Sequence, residues 1–247
     1  MTNDKSAQER KSPGKRRSNR RAQLSLGRLR GFKGQHISAE LLVKHLTGTA
    51  TAAGAGAVAG ESCAGSGTAP DAATQAAPGL MVMMIGLPAS GKSSISVAFE
   101  QAGWVRINKD SLRKELYGDE STLGKPREVS ALFYQRIEEA FKAGRNVLID
   151  NTNVSSLHRK GPLAMALEHG YTNVTHVFLD VPLEECLRRN ALRDRKVPEE
   201  GLRKLAQALA SKGGVPSRRE GNLIVLKPGD GVGDFIVDRV RMHGARQ

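Results

Sequence analysis

Two cysteines in 247 residues, Cys63 and Cys186, are too few for a disulfide framework, and Cys63 lies in a low-complexity stretch. A reducing, intracellular setting is the natural inference. No apolar run approaches the ~20 residues of a membrane span, so no spanning helix is read. No secretory apolar segment follows Met1 either. Aromatic residues are sparse, at 4%. Acidic residues are also short, 25 against 38 Lys and Arg, which leaves a formal net charge of +13. A surplus of that size suits polyanionic partners. It is unevenly spread: residues 1–35 hold eleven Lys and Arg against Asp4 and Glu9, so nine of the thirteen excess charges sit there. The remainder has the balance of an ordinary soluble domain.

The chain divides by composition into three parts. Residues 1–47 read as a basic, mostly disordered arm with KSPGKRRSNRRAQ at its heart. Arg-rich and acid-poor, this arm also has the composition of an organelle transit peptide, although its first twenty residues lack an amphipathic apolar face. Within it, Ser38 to Leu46 reads as a short helix capped by Ser38 and carrying Leu41, Leu42 and Leu46. Residues 48–79 form a linker in which nineteen of thirty-two positions are Ala or Gly, with nothing large to bury. Residues 80–247 have the composition of a folded domain, and Met81 at its head offers an alternative start for the chain.

From Leu80 onward, apolar runs alternate with amphipathic stretches. The predicted strands are Leu80–Ile85, Trp104–Ile107, Asn146–Ile149, Val174–Leu179 and Leu223–Leu226. Helical patterns cover 94–102, 111–117, 126–143, 156–169, 183–194, 199–211 and 232–242. That alternation predicts an α/β fold, a parallel sheet with helices on both faces and ligands at the carboxyl ends of the strands.

The first strand runs straight into Gly86-Leu87-Pro88-Ala89-Ser90-Gly91-Lys92-Ser93, and a helix follows. Strand, glycine loop and helix in that order is the context in which GxxxxGKS binds phosphate. Gly86 and Gly91 let the backbone turn its N–H groups inward, and the helix adds its positive end. The ATP site read from this segment comprises Gly86, Ala89, Ser90, Gly91, Lys92, Ser93 and Ser94. Lys92 is placed to reach the β/γ-phosphates and the Ser93 hydroxyl to bind Mg²⁺.

Three further constellations follow. Asp110, at the end of the second strand, is either a general base for an attacking hydroxyl or simply the cap of the next helix, with Arg113 one turn on suited to a phosphate. Asp150 ends the third strand in a run that continues Asn151-Thr152-Asn153, and suits a Mg²⁺-orienting carboxylate. Arg189 and Arg193, i,i+4 neighbours if the helix continues to 194, are lid residues over ATP or a solvated face balanced by Glu184, Glu185 and Asp194.

Taken together, GLPASGKS, INKDSLR, LIDNTNVSSLHR and FLDVPLEECLRRNALRDRKVP, in this order over residues 80–226, resemble the kinase domain of the 5′-polynucleotide kinases of phage end healing and animal DNA repair. The resemblance implies a P-loop kinase using ATP and Mg²⁺, with Asp110 as base for a 5′-hydroxyl. It implies Asp110, Arg113, Asn151 and Arg159 toward the nucleic-acid acceptor, Ser93 and Asp150 toward the metal, and Lys92, Arg189 and Arg193 toward the transferring phosphoryl group. No DxDxT-type run appears, so the phosphatase half of some relatives is not expected, and nothing before Leu80 matches the family. A sugar, nucleoside or antibiotic kinase of the same architecture is the enzymatic alternative. A non-catalytic, ATP-gated nucleic-acid binder is the other.

Overall fold

The computed structural model describes residues 26–47, 78–122, 124–231 and 233–243. Their core is a sheet of seven strands: β1 (His36–Ser38), β2 (Met81–Ile85), β3 (Val105–Ile107), β4 (Val147–Ile149), β5 (Val174–Leu179), β6 (Asn222–Pro228) and β7 (Asp234–Arg241). Their order across the sheet is β1-β7-β6-β5-β2-β4-β3. The helices are α1 (Ala39–Thr47), α2 (Lys92–Gln101), α3 (Lys109–Tyr117), α4 (Pro126–Lys142), α5 (Ser156–Glu168), α6 (Leu183–Ala191) and α7 (Glu199–Ala210).

Strand β2 shows why the sheet sits at the centre. All five of its residues, Met-Val-Met-Met-Ile, are buried, as in a strand covered on both faces. Alternate side chains go to opposite sides. Val82 and Met84 join one core with Phe99 of α2, Leu42 of α1 and Leu202 of α7. Met81 and Met83 join the other with Phe133 and Phe141 of α4 and Leu112 of α3. Parallel pairing of Met81 with both Val147 and Val174 puts the carboxyl ends of β2 and β4 side by side at one rim. Among the described residues no helix is long and apolar enough to cross a membrane.

Two expectations change. The stretch 232–242, read as a helix, contains strand β7, which pairs antiparallel with β6, so the sheet is mixed rather than wholly parallel. The run Asp-Phe-Ile-Val-Asp-Arg-Val-Arg buries Phe235 and Val237, two apart, and a glycine-rich turn between Pro228 and Asp234 returns the chain. The second change concerns the arm. Residues 26–30 are helical, β1 extends the sheet beyond β7, and α1 packs on α2. Leu26, Leu29, Ile37, Leu42, Val43 and Leu46 are buried, so this part of the basic segment belongs to the core. The short helix from Ser38 is present, and the Ser38 hydroxyl accepts the Leu41 N–H at 3.2 Å. Residues 1–25 and nearly all of the Ala/Gly linker lie outside the described residues.

Candidate active site

The loop between β2 and α2 is shaped by conformations that few residues adopt. Gly86 and Gly91 have φ of 151° and 101°, and Ala89 holds a positive φ of 62° without being glycine. A Cβ on Gly86 would sit 2.9 Å from the Ser90 hydroxyl and 3.2 Å from the Leu179 carbonyl oxygen, so the loop also needs glycine for room. Gly91 caps α2 and supplies no side-chain acceptor, which leaves the first N–H groups of that helix for an anion. The Gly86 N–H donates to the Thr152 carbonyl at 3.0 Å, tying the loop to the segment after β4.

Lys92 folds over this loop. Its Nζ donates to the carbonyls of Gly86 (2.9 Å) and Leu87 (2.6 Å) and lies 3.4 Å from the Ser90 hydroxyl. Burial pushes the ammonium down to about 8, and the charge of Asp150 is the largest influence opposing that fall. Ser93, on the first turn of α2, is exposed.

A cleft of about 720 Å³ opens in front of the loop. Of the residues singled out by sequence, Ala89, Gly91, Lys92, Ser93, Asp110, Arg113, Asp150, Asn151, Arg189 and Arg193 all line it. Gly86, Ser90 and Ser94 do not; Ser90 is buried behind the loop.

The two roles open for Asp110 separate. Asn108 is the N-cap of α3, its Oδ1 accepting the N–H groups of Asp110 (2.7 Å) and Ser111 (3.2 Å). Asp110 therefore does not cap. Its carboxylate is about half exposed, bonded through Oδ1 to Arg113, with Arg195 Nη1 3.5 Å from Oδ2. Asn108 also donates through Nδ2 to the Asp150 carbonyl at 2.5 Å, and Asn151 Oδ1 accepts the Lys109 N–H at 3.1 Å. Hydrogen bonds of two side-chain amides thus fasten the start of α3 to the end of β4.

Asp150 is almost fully buried. Arg106 of β3 grips it through Nε (2.9 Å) and Nη2 (2.7 Å), both on Oδ2. The Ser93 hydroxyl and this carboxylate line one cleft and are hard oxygen donors of the kind Mg²⁺ takes beside a nucleotide. Among the described residues no group of three or more His, Cys, Asp or Glu could hold a metal alone, so the remaining ligands would be phosphate oxygens and water.

Two sequence expectations change in detail, the place of Arg159 and the reach of helix α6. Arg159, implied to touch the acceptor, is fully buried. Its guanidinium donates to Glu220 (2.7 Å) and to the carbonyls of Asn153 (2.8 Å), Gly214 (2.9 Å) and Gly213 (2.8 Å), and it does not line the cleft. Helix α6 stops at Ala191, so Arg193 stands beyond it rather than one turn up the same face. Arg189 is anchored to Glu185 at 2.5 Å, and Arg188 shares that carboxylate, holding it down at about 2. Arg113 is engaged by Asp110.

The sequence reading missed Arg195 and Arg106. Arg195 bridges Asp110 to Glu120 (3.0 Å), and that contact spans 75 residues with no local signal. Arg106 finds Asp150 because β3 and β4 pair in register, Ile107 opposite Ile149. Asn108 was legible in principle, as an asparagine at a strand-to-helix junction.

The chain is similar to several known proteins. It is 29% identical over 132 residues to the putative bifunctional polynucleotide kinase/RNA ligase of Autographa californica nuclear polyhedrosis virus, covering 48% of this chain and 19% of that protein. It is 26% identical over 138 residues to the L-seryl-tRNA(Sec) kinase of Methanococcus maripaludis, covering 54% of each. The chain thus spans about half the length of one of these relatives and about a fifth of the other. A solved structure of the Pnkp1/Rnl/Hen1 RNA repair complex includes a chain 23% identical, with TM-score 0.48, over 54% of this chain and 45% of that one. The family model of the AAA domain matches residues 81–211, from the first residue of β2 to just past α7. With the phosphate loop, its helix and the facing cleft all inside that match, more than half of its length, the chain belongs to the AAA-domain family and has a P-loop kinase-type fold.

Proposed function

We propose that this protein is an ATP-dependent kinase that transfers the γ-phosphoryl group to a 5′-hydroxyl end of RNA or DNA. The observation that carries the reading is that Asp110, freed from capping by Asn108, lines the same cleft as Lys92 and Ser93. Asp110 accepts the hydroxyl proton as the oxygen attacks the γ-phosphorus, and the bond to the bridging β–γ oxygen breaks. Lys92, the loop amides, Arg189 and Arg193 meet the charge that develops on the transferring and leaving oxygens. Ser93 and Asp150 would hold Mg²⁺, which would supply positive charge against the nucleotide phosphates. Arg113 and Arg195 hold the base in position.

A nucleic-acid acceptor is supported by the names of the two relatives, which specify a polynucleotide in one case and a tRNA in the other. The charge surplus agrees with a polyanionic substrate. The test is transfer from γ-labelled ATP to oligonucleotides with 5′-hydroxyl ends, to seryl-tRNA, and to a panel of sugars and nucleosides. Label on the oligonucleotide end, lost when that end is already phosphorylated, is the expected result. Label on a small molecule alone, with none on any nucleic acid, would overturn the acceptor assignment.

A further inference from the structure

The cleft also holds apolar and aromatic side chains in its lining. Tyr134 of α4 and Leu157 of α5 both line it, and neither is required by the core. Leu157 is 80% exposed, the most exposed large hydrophobic residue described, and Tyr134 is 39% exposed. Singly exposed apolar side chains are common on protein surfaces; what sets these two apart is that both line the cleft.

The tyrosine is also held in place. Gly161 lies one helical turn after Leu157, on the same side of α5. A Cβ there would collide with the Tyr134 hydroxyl oxygen and come within 3.0 Å of Cε1 and Cζ. The absence of a side chain at Gly161 therefore lets the tyrosine ring lie on α5, one turn along from the Leu157 position. Phe133 contacts the ring edge-on, with centroids 5.4 Å apart and planes at 73°. Lys109, which also lines the cleft, sits over Phe133 at 5.0 Å.

We infer that Tyr134 and Leu157 are a stacking platform for the terminal nucleobase of the acceptor. The inference rests on the proposed polynucleotide kinase reading and gives that site its acceptor half. A planar base has two apolar faces and a charged backbone beside it. The cleft is lined by a seated aromatic ring, an exposed aliphatic side chain, and cations at Lys109 and Arg113. Stacking of this kind tolerates any base, because every base presents a π-face. The platform therefore selects a base-bearing end without selecting its sequence.

The experiment uses the full chain and two 5′-hydroxyl oligonucleotides, identical except that one has an abasic 5′-terminal residue. Wild type is expected to show a KM roughly tenfold to a hundredfold lower for the base-bearing end, the range that one base–aromatic stack provides. Tyr134→Ala should remove that preference while the KM for ATP holds. Tyr134→Phe should keep it, and Gly161→Ala, by displacing the ring, should weaken it. Equal KM values for the two ends in wild type, or a preference that survives in folded Tyr134→Ala, would overturn the platform alone. No transfer to any 5′-hydroxyl end would overturn the polynucleotide acceptor reading, and the platform with it.

Discussion

Asn108 and Asp110 stand two residues apart and differ in what they do for the fold. Asn108 accepts two N–H groups of α3 and donates to the Asp150 carbonyl, whereas the Asp110 carboxylate touches only arginine side chains. Asp110→Asn should therefore lower turnover by at least ~10²-fold, the contribution of a positioned base, with little change in Tm. Asn108→Ala should cost about 1 kcal/mol of stability through the lost cap. Parallel turnover assays and thermal melts check both; a large fall in Tm for Asp110→Asn would make that carboxylate structural. Arg159 presents the opposite case. Its buried guanidinium joins Glu220 to three carbonyls from two separate segments, so Arg159→Met takes the ion-pair partner from a largely buried carboxylate and the donor from buried acceptors. A loss of about 3–5 kcal/mol is expected, measurable as a lowered urea midpoint. A variant of unchanged stability with a raised acceptor KM would instead return Arg159 to substrate contact.

At the scale of elements, β5 and β6 carry a buried titratable group between them. His176 is fully buried, with Nδ1 donating to the Asn222 carbonyl at 3.1 Å and Nε2 without a partner. Burial lowers its folded-state value from 6.5 to about 4. The unfolded chain then binds more protons between these values, so this contribution is complete above about pH 6.5 and disappears as pH falls toward 4. Its full size is roughly 3 kcal/mol at about 1.4 kcal/mol per unit. Urea midpoints from pH 7 to 4.5 should fall more steeply for wild type than for His176→Gln, and coincident curves would contradict the assignment. The same sheet shows what was legible in the sequence. The P-loop, Asp110 and Asp150 could be read because each sits in a contiguous run whose flanking strand and helix declare themselves. Strand β7 was not, because Ile236, Val237 and Val240 fit a helical spacing as well as an extended one, and only pairing with β6 decides. Yet β7 backs the site: the nearest atoms to a Cβ on Gly91 would be those of Phe235, at 3.5 Å. Arg159 was misassigned because its partners at 213, 214 and 220 lie more than fifty residues away.

The whole molecule joins a strongly basic segment to a domain of nearly balanced charge, and the boundary between them is not where composition put it. Arg28, Arg30 and Lys33 sit among residues whose neighbours Leu26, Leu29 and Ile37 are in the core. Charge dominates the composition there, while three buried side chains decide the structure. The segment preceding them, residues 1–25, holds eight Lys and Arg against Asp4 and Glu9, a net +6. Each phosphate neutralised by such a segment releases counterions, so its contribution to nucleic-acid binding falls steeply with salt, by roughly 0.7–0.9 of a log unit of slope per contact. Deleting residues 1–25 should raise the KM for long nucleic acids at moderate salt and flatten its salt dependence. Turnover on a saturating short oligonucleotide should hold, because Lys92, Asp110, Arg195 and the core residues from Leu26 onward all lie beyond the cut. Deletion through residue 79 should behave differently, since it strips β1 from β7 and removes Leu26, Leu29, Ile37, Leu42, Val43 and Leu46 from the core. That variant should lose thermal stability as well as affinity. Steady-state kinetics across a salt series, run beside thermal melts of both truncations, separates the two effects. An unchanged KM and salt slope after removal of residues 1–25 would show that their charge plays no part in holding the substrate.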